Sequence, residues 1–494
     1  MKKVMGKGTV YLTIAGIFIL LSNYSLHILL AKLLNPNSYG IYGILLSIYT
    51  MGGAFLSAGF VKTSSKFISE KKGDLMLLIK SSFRLQLLVS SLFFLLMVAS
   101  SKLISRLLKD GDLTFYVILT FLLVVFFTIF SLYWNGYLNG LRMFKEQAFM
   151  GAVHSILKAT LVIFFVFFGF EIFGVLLGYF LAIIISLFFC IILFNRKYNL
   201  IKNNPSPPIT NHSKVITSRN NALKDFLKFS IPITLSALVF TVIKNVNVLL
   251  IKSFLTKNIF AGYYTAATTL SNFPIFIFGS LSFTLMPSIS KALSNNNKLL
   301  AKRYITQSLR YLVMALFPLS ALIISSASRF LNIFYPLEYS PAGPILGILM
   351  IHTTFWAIFT IFTAVLMGYG KPRIETFIGL ITLFILFPLS FFLIPLFGMV
   401  GAAISSVASS FVCMSLAGFY IHKKFGNFVS WRSTLKISFS SLIILLLGFF
   451  WKGTGIILLL EFVLLLVIYF CLLLILNEIK KKDLNLVLSF FKKK

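Results

Sequence analysis

The chain has 494 residues, of which 58% are hydrophobic and only 12% are charged. Soluble domains carry about 25% charged residues, and a chain this apolar could not cover its own surface in water. The formal net charge of +33 would indicate nucleic acid as a partner of a soluble protein, but here the basic residues lie mainly between long apolar blocks. The composition therefore excludes a soluble globular protein and predicts an integral membrane protein with no nucleic-acid partner.

A membrane span needs about twenty mostly apolar residues, and about fourteen blocks meet that requirement. They are predicted at 9–34, 39–61, 81–100, 113–135, 148–170, 172–194, 226–254, 259–289, 306–327, 343–367, 375–396, 398–421, 434–451 and 455–476. Two pairs of neighbouring spans are separated only by short turns, at 169–171 and 395–398. The predicted fold class is an all-α polytopic membrane protein.

Lys and Arg residues are distributed unequally between the two sides of the predicted spans. With the N-terminus in the cytoplasm, the inner segments hold more than four times as many basic residues as the outer loops. Because cytoplasmic loops are enriched in Lys and Arg, both termini are predicted to lie in the cytoplasm. We therefore expect a multi-pass protein of the cell membrane, in contact with membrane lipids.

A polar segment rich in Pro, Asn and Ser has the composition of a flexible linker and divides the chain. The predicted parts are an N-terminal six-helix lobe at 1–195, a cytoplasmic linker at 196–225, a C-terminal six-helix lobe at 226–422, two additional helices at 430–477 and a basic cytoplasmic tail at 478–494. A shift of 222 residues places Asn23 on Asn245 and Gly40 on Gly262. Such matches suggest a six-helix repeat, which would relate the lobes by a pseudo-two-fold axis along the membrane normal.

The opening of the chain resembles that of polysaccharide exporters. The residues that carry the resemblance are Leu30-Ala31-Lys32-Leu33-Leu34, Asn35-Pro36, Tyr39-Gly40-Ile41-Tyr42-Gly43 and, after span 4, Leu138-Asn139-Gly140. They are similar to those of O-antigen-type oligosaccharide flippases of the multidrug/oligosaccharidyl-lipid/polysaccharide exporter superfamily. The resemblance implies two lobes around a central cavity, alternating access and a polyprenyl-diphosphate-linked oligosaccharide as substrate. Lipid II flippases also have fourteen spans and are an alternative within the same superfamily.

Lys158 and Lys244 are the only basic residues predicted near the middle of a span. An ionisable residue at that depth costs about 2.5–3.5 kcal/mol on insertion scales, so each one requires an explanation. The functional interpretation is a pair of cations that face an aqueous cavity and bind the diphosphate, since lysine supplies a compact charge and three donors. The structural interpretation is a hydrogen-bonded or snorkelling lysine, although mid-depth residues lie far from the interface.

Neutral polar residues accompany these lysines. His154 lies one helical turn before the lysine of span 5, Asn23 and His27 share a stripe of span 1, and Asn245 is its counterpart in span 7. We predict that they contact the sugar or the phosphate, with interhelical packing as the alternative.

Basic residues also cluster at the predicted cytoplasmic edge. Lys62, Lys66 and Arg84 are candidate ligands for a diphosphate, and contact with anionic lipid is the alternative.

The positions of the acidic residues disfavour two other functions, the export of cations and glycosyl transfer. None of the twelve is predicted at mid-depth in spans 1–12, and span 1 lacks the carboxylate through which multidrug exporters of the superfamily bind cations. The Asp110-Gly111-Asp112 sequence has the spacing used by glycosyltransferases, but it lies in a short outer loop without a supporting His or Glu. We therefore expect a transporter and not an enzyme, with a small-molecule or drug exporter as the remaining alternative.

The predicted function is to flip the lipid-linked oligosaccharide to the outer leaflet for cell-surface polysaccharide synthesis. The three cysteines show no metal spacing, so no metal or other cofactor is expected. Glycosyltransferases or a polymerase of the same pathway are candidate partners, and a monomer is expected.

Overall fold

The computed structural model describes residues 2–70, 75–203 and 219–479, and within those ranges it contains helices and no strands. The first helices are α1 (Lys2–Leu33), α2 (Pro36–Ser69), α3 (Leu75–Leu107), α4 (Leu113–Ser131), α5 (Leu138–Gly140), α6 (Phe144–Phe165), α7 (Glu171–Asn203) and α8 (Arg219–Leu255). The others are α9 (Asn258–Ser271), α10 (Phe273–Ser294), α11 (Lys298–Ser325), α12 (Ala327–Phe334), α13 (Gly343–Gly368), α14 (Pro372–Phe397), α15 (Met399–Phe425), α16 (Trp431–Phe450) and α17 (Ile456–Ile475). Residues Leu132–Tyr137 and Val166–Phe170 are π-helical, and Leu337–Ala342 form a 3₁₀ helix.

Twelve segments of the described chain are long and apolar enough to cross a membrane. One of them, Phe144–Arg196, contains both α6 and α7, which meet at a turn where Gly169 and Glu171 have positive φ. The predicted span at 259–289 corresponds to two helices, α9 and α10. The twelve segments and the fourteen predicted spans differ at these two places. The all-α polytopic fold class is confirmed.

The predicted linker and tail are only partly described. Helix α7 continues to Asn203 and α8 begins at Arg219, so helix extends into both ends of the segment 196–225. Residues 204–218, and all but the first two residues of the predicted tail at 478–494, lie outside the described residues.

The chain forms two compact units, up to Gly262 and from Tyr263 onward. In the first unit α8 packs along α2, α1 packs against α6, and α7 packs against α4 and α6. In the second unit α13 packs against α10, α11 and α15, while α16 packs against α11 and α17. Helix α8, which the sequence placed at the start of the C-terminal lobe, thus groups with the first unit through its contacts with α2.

Helix α2 begins at a strong start signal. The side-chain oxygen of Asn35 accepts a hydrogen bond from the backbone N–H of Ser38 at 2.8 Å, and Pro36 occupies the first turn, where its missing N–H has no partner to lose. Further along, a Cβ on Gly59 would collide with the carbonyl oxygen of Ser230 in α8. A glycine is therefore required where α2 and α8 cross at backbone distance.

Gly40 and Gly262, which the internal repeat aligns, contact each other. A Cβ on Gly262 would lie 3.1 Å from the backbone nitrogen of Gly40, and a Cβ on Gly40 would collide with the carbonyl oxygen of Asn258. Equivalent positions of the repeat therefore meet where α2 and α9 begin.

Two ion pairs hold the ends of α17 in the second unit. Arg329 donates to the carboxylate of Glu461 at 3.1 Å and to the carbonyl oxygens of Gly448 and Gly453. At the other end, Arg310 donates to Glu478 at 2.7 Å. Both carboxylates are buried, so each needs its arginine to offset the loss of hydration.

Candidate functional site

Lys158 lies on α6 and reaches across to α1. Its Nζ donates a hydrogen bond to the side-chain oxygen of Asn23 at 2.7 Å. Within the described part of the chain no carboxylate lies in ion-pair distance of Lys158, so its positive charge is bound by a neutral dipole and not cancelled. Two residues that the sequence predicted separately are thus brought together.

One aromatic side chain contacts the same ammonium group, and two further rings continue from it. Lys158 Nζ lies 5.3 Å from the ring centroid of Tyr179 on α7, within the distance of a cation–π interaction. The hydroxyl of Tyr179 is 3.2 Å from that of Tyr42 on α2, and the ring of Tyr42 lies 5.4 Å from that of His27 on α1. Asn23, His27, Tyr42, Lys158 and Tyr179 are called the Lys158 cluster below.

The two predicted histidines have different surroundings. His27 belongs to the Lys158 cluster, and its Nδ1 is 3.1 Å from the hydroxyl of Tyr39. His154 is buried elsewhere in the lobe, with its Nδ1 3.1 Å from the hydroxyl of Ser186 and its ring 4.6 Å from that of Phe130. Although one helical turn separates His154 from Lys158 in sequence, His154 faces the interior between α4 and α7.

Lys244 and Asn245 on α8 are arranged differently from Lys158 on α6 and Asn23 on α1. Lys244 has an accessible side chain. Asn245 donates to the backbone oxygen of Thr241 in its own helix at 2.8 Å, whereas its repeat counterpart Asn23 accepts from a lysine.

Lys62 lines a pocket of about 530 Å³ on the side of the unit that the charge distribution predicts to be cytoplasmic. Its walls come from α2, the end of α4, the π-helical turn at 132–137, α5 and α6, and they include Lys66, Ser65 and three amide side chains. Lys66 also lies 3.7 Å above the ring of Phe229 and 4.0 Å from Glu70. Arg84 is exposed on α3 and is not part of the pocket wall, so the structure does not bring it to Lys62.

The three amides of this pocket form a hydrogen-bonded series that the sequence analysis missed. Ser65 Oγ donates to Asn139 Oδ1 at 2.9 Å, Asn139 Nδ2 donates to Gln147 Oε1 at 3.0 Å, and Gln147 Nε2 donates to Asn135 Oδ1 at 2.9 Å. The available signal was the Asn-Gly dipeptide that occurs twice, four residues apart, at 135–136 and 139–140.

In the Asp110-Gly111-Asp112 sequence, Asp110 forms an ion pair with Lys252. The carboxylate of Asp110 accepts from Lys252 Nζ at 2.8 Å and from Asn258 Nδ2 at 3.3 Å, and Lys252 is almost fully buried. Within the described residues no group of three or more His, Cys, Asp or Glu side chains is arranged to hold a metal ion. Asp110 therefore neutralises a buried lysine at the end of α8.

Comparison with solved structures shows which known proteins share this fold. The lipid II flippase MurJ, in an inward closed conformation, matches with a TM-score of 0.70 at 17% identity over 96% of this chain and 99% of that chain. An inward-facing multidrug resistance MATE family transporter of the MOP superfamily matches with a TM-score of 0.64 at 16% identity, over 83% and 95% of the two chains. The fold is that of multi-span membrane transporters.

The family follows from sequence. Residues 5–293, more than half of the chain, match the polysaccharide biosynthesis protein family, and the chain belongs to that family. An uncharacterised membrane protein of Methanocaldococcus jannaschii is 28% identical over 414 residues, which are 80% of this chain and 94% of that protein. The chain therefore belongs to the polysaccharide biosynthesis protein family and shares the fold of multi-span membrane transporters, the fold that the sequence predicted.

Proposed function

We propose that the protein moves a polyprenyl-diphosphate-linked oligosaccharide from the cytoplasmic to the outer leaflet of the cell membrane by alternating access. The headgroup crosses within the protein while the polyprenyl chain stays in lipid. Both termini lie in the cytoplasm, and the delivered glycan is used for cell-surface polysaccharide. Membership of the polysaccharide biosynthesis protein family supports this pathway.

The observation that carries the proposal is the uncancelled charge of Lys158. A cation within a membrane span is normally paired, because an isolated charge in a low-dielectric interior is costly. Lys158 has one neutral acceptor, Asn23, and an aromatic face, Tyr179. Such an arrangement holds the ammonium group in place and leaves its charge for an anion, which suits the diphosphate of the substrate.

Lys244 supplies the second cation in this proposal. The repeat shift of 222 residues pairs Asn245 with Asn23 and places Ser22 opposite Lys244, so the lysine has no basic counterpart in α1. Two lysines on different helices offer two positive charges to the phosphate oxygens, and Asn23 occupies one of the N–H donors of Lys158. Asn245 and His27 are then available for contacts with the sugar or the phosphate.

The test is transport in proteoliposomes. A polyprenyl-diphosphate-linked N-acetylhexosamine is placed in one leaflet, and its arrival in the other is followed with an impermeant reagent. Lys158→Met should reduce the rate at least tenfold, because it removes a charge-assisted contact of about 1.5–3 kcal/mol. Lys244→Met should do the same, whereas Lys32→Met, on the exposed end of α1, should keep the wild-type rate.

Wild-type rates in both Lys158→Met and Lys244→Met would contradict the proposed site. A wild-type protein that moves cationic dyes and ignores the lipid-linked sugar would instead favour a drug exporter of the same fold. The charge of the Lys158 cluster argues against that alternative, because a cationic substrate would be repelled, and α1 contains no acidic residue.

A further inference from the structure

The pocket beside Lys62 has the dimensions and the chemistry of a binding site for a hydroxylated ligand. Its volume of about 530 Å³ lies within the range of small-molecule sites. Asn135, Asn139 and Gln147 contribute to its wall. Each primary amide presents both donors and an acceptor, which is the combination that neighbouring sugar hydroxyls and acetamido groups require. This pocket is called the amide pocket below.

The hydrogen bonds among these side chains leave the amide nitrogen of Asn135 unused. They run in one direction, from Ser65 through Asn139 and Gln147 to the oxygen of Asn135. The amide nitrogen of Asn135 finds no acceptor among the described residues. The relay fixes the orientation of Asn135, so its two N–H groups are held ready for a ligand.

Lys62 adds a positive charge to the same wall. Across the described ranges its ammonium group has neither a carboxylate nor a hydrogen-bond acceptor, and its side chain is exposed. Lys66, one turn further along α2, is already engaged by Glu70 and Phe229. The groups of the amide pocket with unused capacity are thus a cation and an amide donor, which together suit a sugar next to a phosphate.

The backbone that builds the amide pocket is specialised for it. Leu132–Tyr137 form a π-helical turn, an energetically unusual conformation that is frequent at functional sites. A Cβ on Gly140 would lie 2.8 Å from that of Ile68, and one on Gly136 would lie 3.6 Å from the carbonyl oxygen of Val61. Gly140 therefore lets this segment approach α2, which brings Asn139 to Ser65, whereas a Cβ at Gly136 would make only an ordinary van der Waals contact with α2.

We propose that the amide pocket binds the first sugar of the lipid-linked glycan on the cytoplasmic side, with Lys62 on the adjacent phosphate. This inference rests on the proposed function, since it assigns a docking site to the same substrate. Asn135, held by its hydrogen-bonded neighbours, donates to the sugar. Lys62 binds the phosphate before the diphosphate moves to Lys158. The protein thereby distinguishes a glycosylated carrier lipid from the bare carrier.

Binding measurements on the full chain in nanodiscs test this inference. Native mass spectrometry is used to titrate three probes: a polyprenyl diphosphate, the same lipid carrying one N-acetylhexosamine, and soluble N-acetylhexosamine 1-phosphate. Wild type should bind the glycosylated lipid more tightly than the bare lipid. Asn135→Ala should weaken the glycosylated lipid about fivefold, the equivalent of one hydrogen bond, and leave the bare lipid unchanged. Lys62→Met should weaken both lipids about tenfold.

Matched controls lie outside the amide pocket. Asn295→Ala, in the exposed turn after α10, and Lys80→Met, exposed on α3, should bind all probes as wild type does. An unchanged preference for the glycosylated lipid in Asn135→Ala would overturn the inference while leaving the proposed function intact. Binding of soluble N-acetylhexosamine 1-phosphate that neither Asn135→Ala nor Lys62→Met weakens would also overturn it. Failure of wild type to bind either lipid would instead refute the proposed function.

Discussion

A lysine inside a membrane span needs partners for its donors and for its charge. Asn23 accepts one hydrogen bond from Lys158, and the ring of Tyr179 offers its negative face at 5.3 Å. A cation–π contact of this kind contributes about 0.5–2 kcal/mol, increasing with desolvation. These contacts are weaker than an ion pair with a carboxylate, so an anionic ligand can bind without first displacing a competing negative charge.

The aromatic contact can be tested by two substitutions at one position. Tyr179→Leu removes the ring and should lower transport about two- to thirtyfold, the range that corresponds to the cation–π contribution. Tyr179→Phe keeps the ring and loses only the hydroxyl contact with Tyr42, so transport should stay near the wild-type rate. Both rates are measured in the proteoliposome assay. Equal loss in the two variants would show that the hydroxyl, and not the ring, supports Lys158.

Single residues could be predicted from the sequence where their chemistry is out of place in a span. Lys158, Asn23 and His27 stand out because charged and polar side chains are costly in hydrocarbon. Their association could not be predicted, since it depends on how α1 is rotated against α6. Tyr179 was missed because tyrosine is ordinary in membrane proteins. Asp110 was predicted to lie in a short outer loop, and its ion pair could not be predicted because Lys252 lies far away in sequence.

At the scale of elements, helix α2 contributes residues to both candidate sites. One side of α2 carries Tyr42 of the Lys158 cluster, and its last turns carry Lys62 and Ser65 of the amide pocket. The packing of α2 against α8 depends on Gly59, which has no space for a side chain. Displacement of α2 would therefore disturb both sites together.

Two glycines of the same helix provide a matched test of this packing. Gly59→Ala places a methyl group against the backbone of α8. It should lower the free energy of unfolding by about 1–3 kcal/mol, as overpacking does. At Gly53 the nearest atom to a new Cβ is a ring carbon of Phe127 at 4.0 Å, so Gly53→Ala should not destabilise the protein. Thermal unfolding in detergent measures both. A Gly59→Ala protein as stable as wild type would refute the close crossing of α2 and α8.

Most helices were predictable, because apolar blocks and turn residues mark them directly. The turns at 169–171 and 395–398 were correct, and they depend on Gly169 and Gly398, which both have positive φ. The break between α9 and α10 near Asn272 was missed, because the polar interruption at Ser271-Asn272 is short and apolar residues continue on both sides. The π-helical turn was missed as well, because no residue type specifies one.

On the scale of the whole molecule, charge and apolarity are combined in an unusual way. The net charge is +33, yet the twelve acidic residues leave the Lys158 cluster and Lys62 without carboxylate partners in the described chain. The acidic groups that are buried, such as Glu461 and Glu478, are paired with arginines of the second unit. The unpaired positive charge of the first unit is the feature that favours an anionic cargo.

The composition predicted the membrane fold, which the solved structures share. The family resemblance predicted a polysaccharide-related family, which the family match confirms. The cargo stays a prediction, since charge chemistry identifies an anion but not the glycan attached to it. The division into two lobes at the linker also stays a prediction.

The most direct measurement is the identity of the lipid that co-purifies with the protein from its own membrane. Native mass spectrometry of the gently solubilised protein should show a polyprenyl diphosphate bearing sugar bound to wild type, and the Lys158→Met variant should carry little or none of it. Wild-type protein that retains only ordinary phospholipids, in a membrane where the lipid-linked sugar is abundant, would contradict the account.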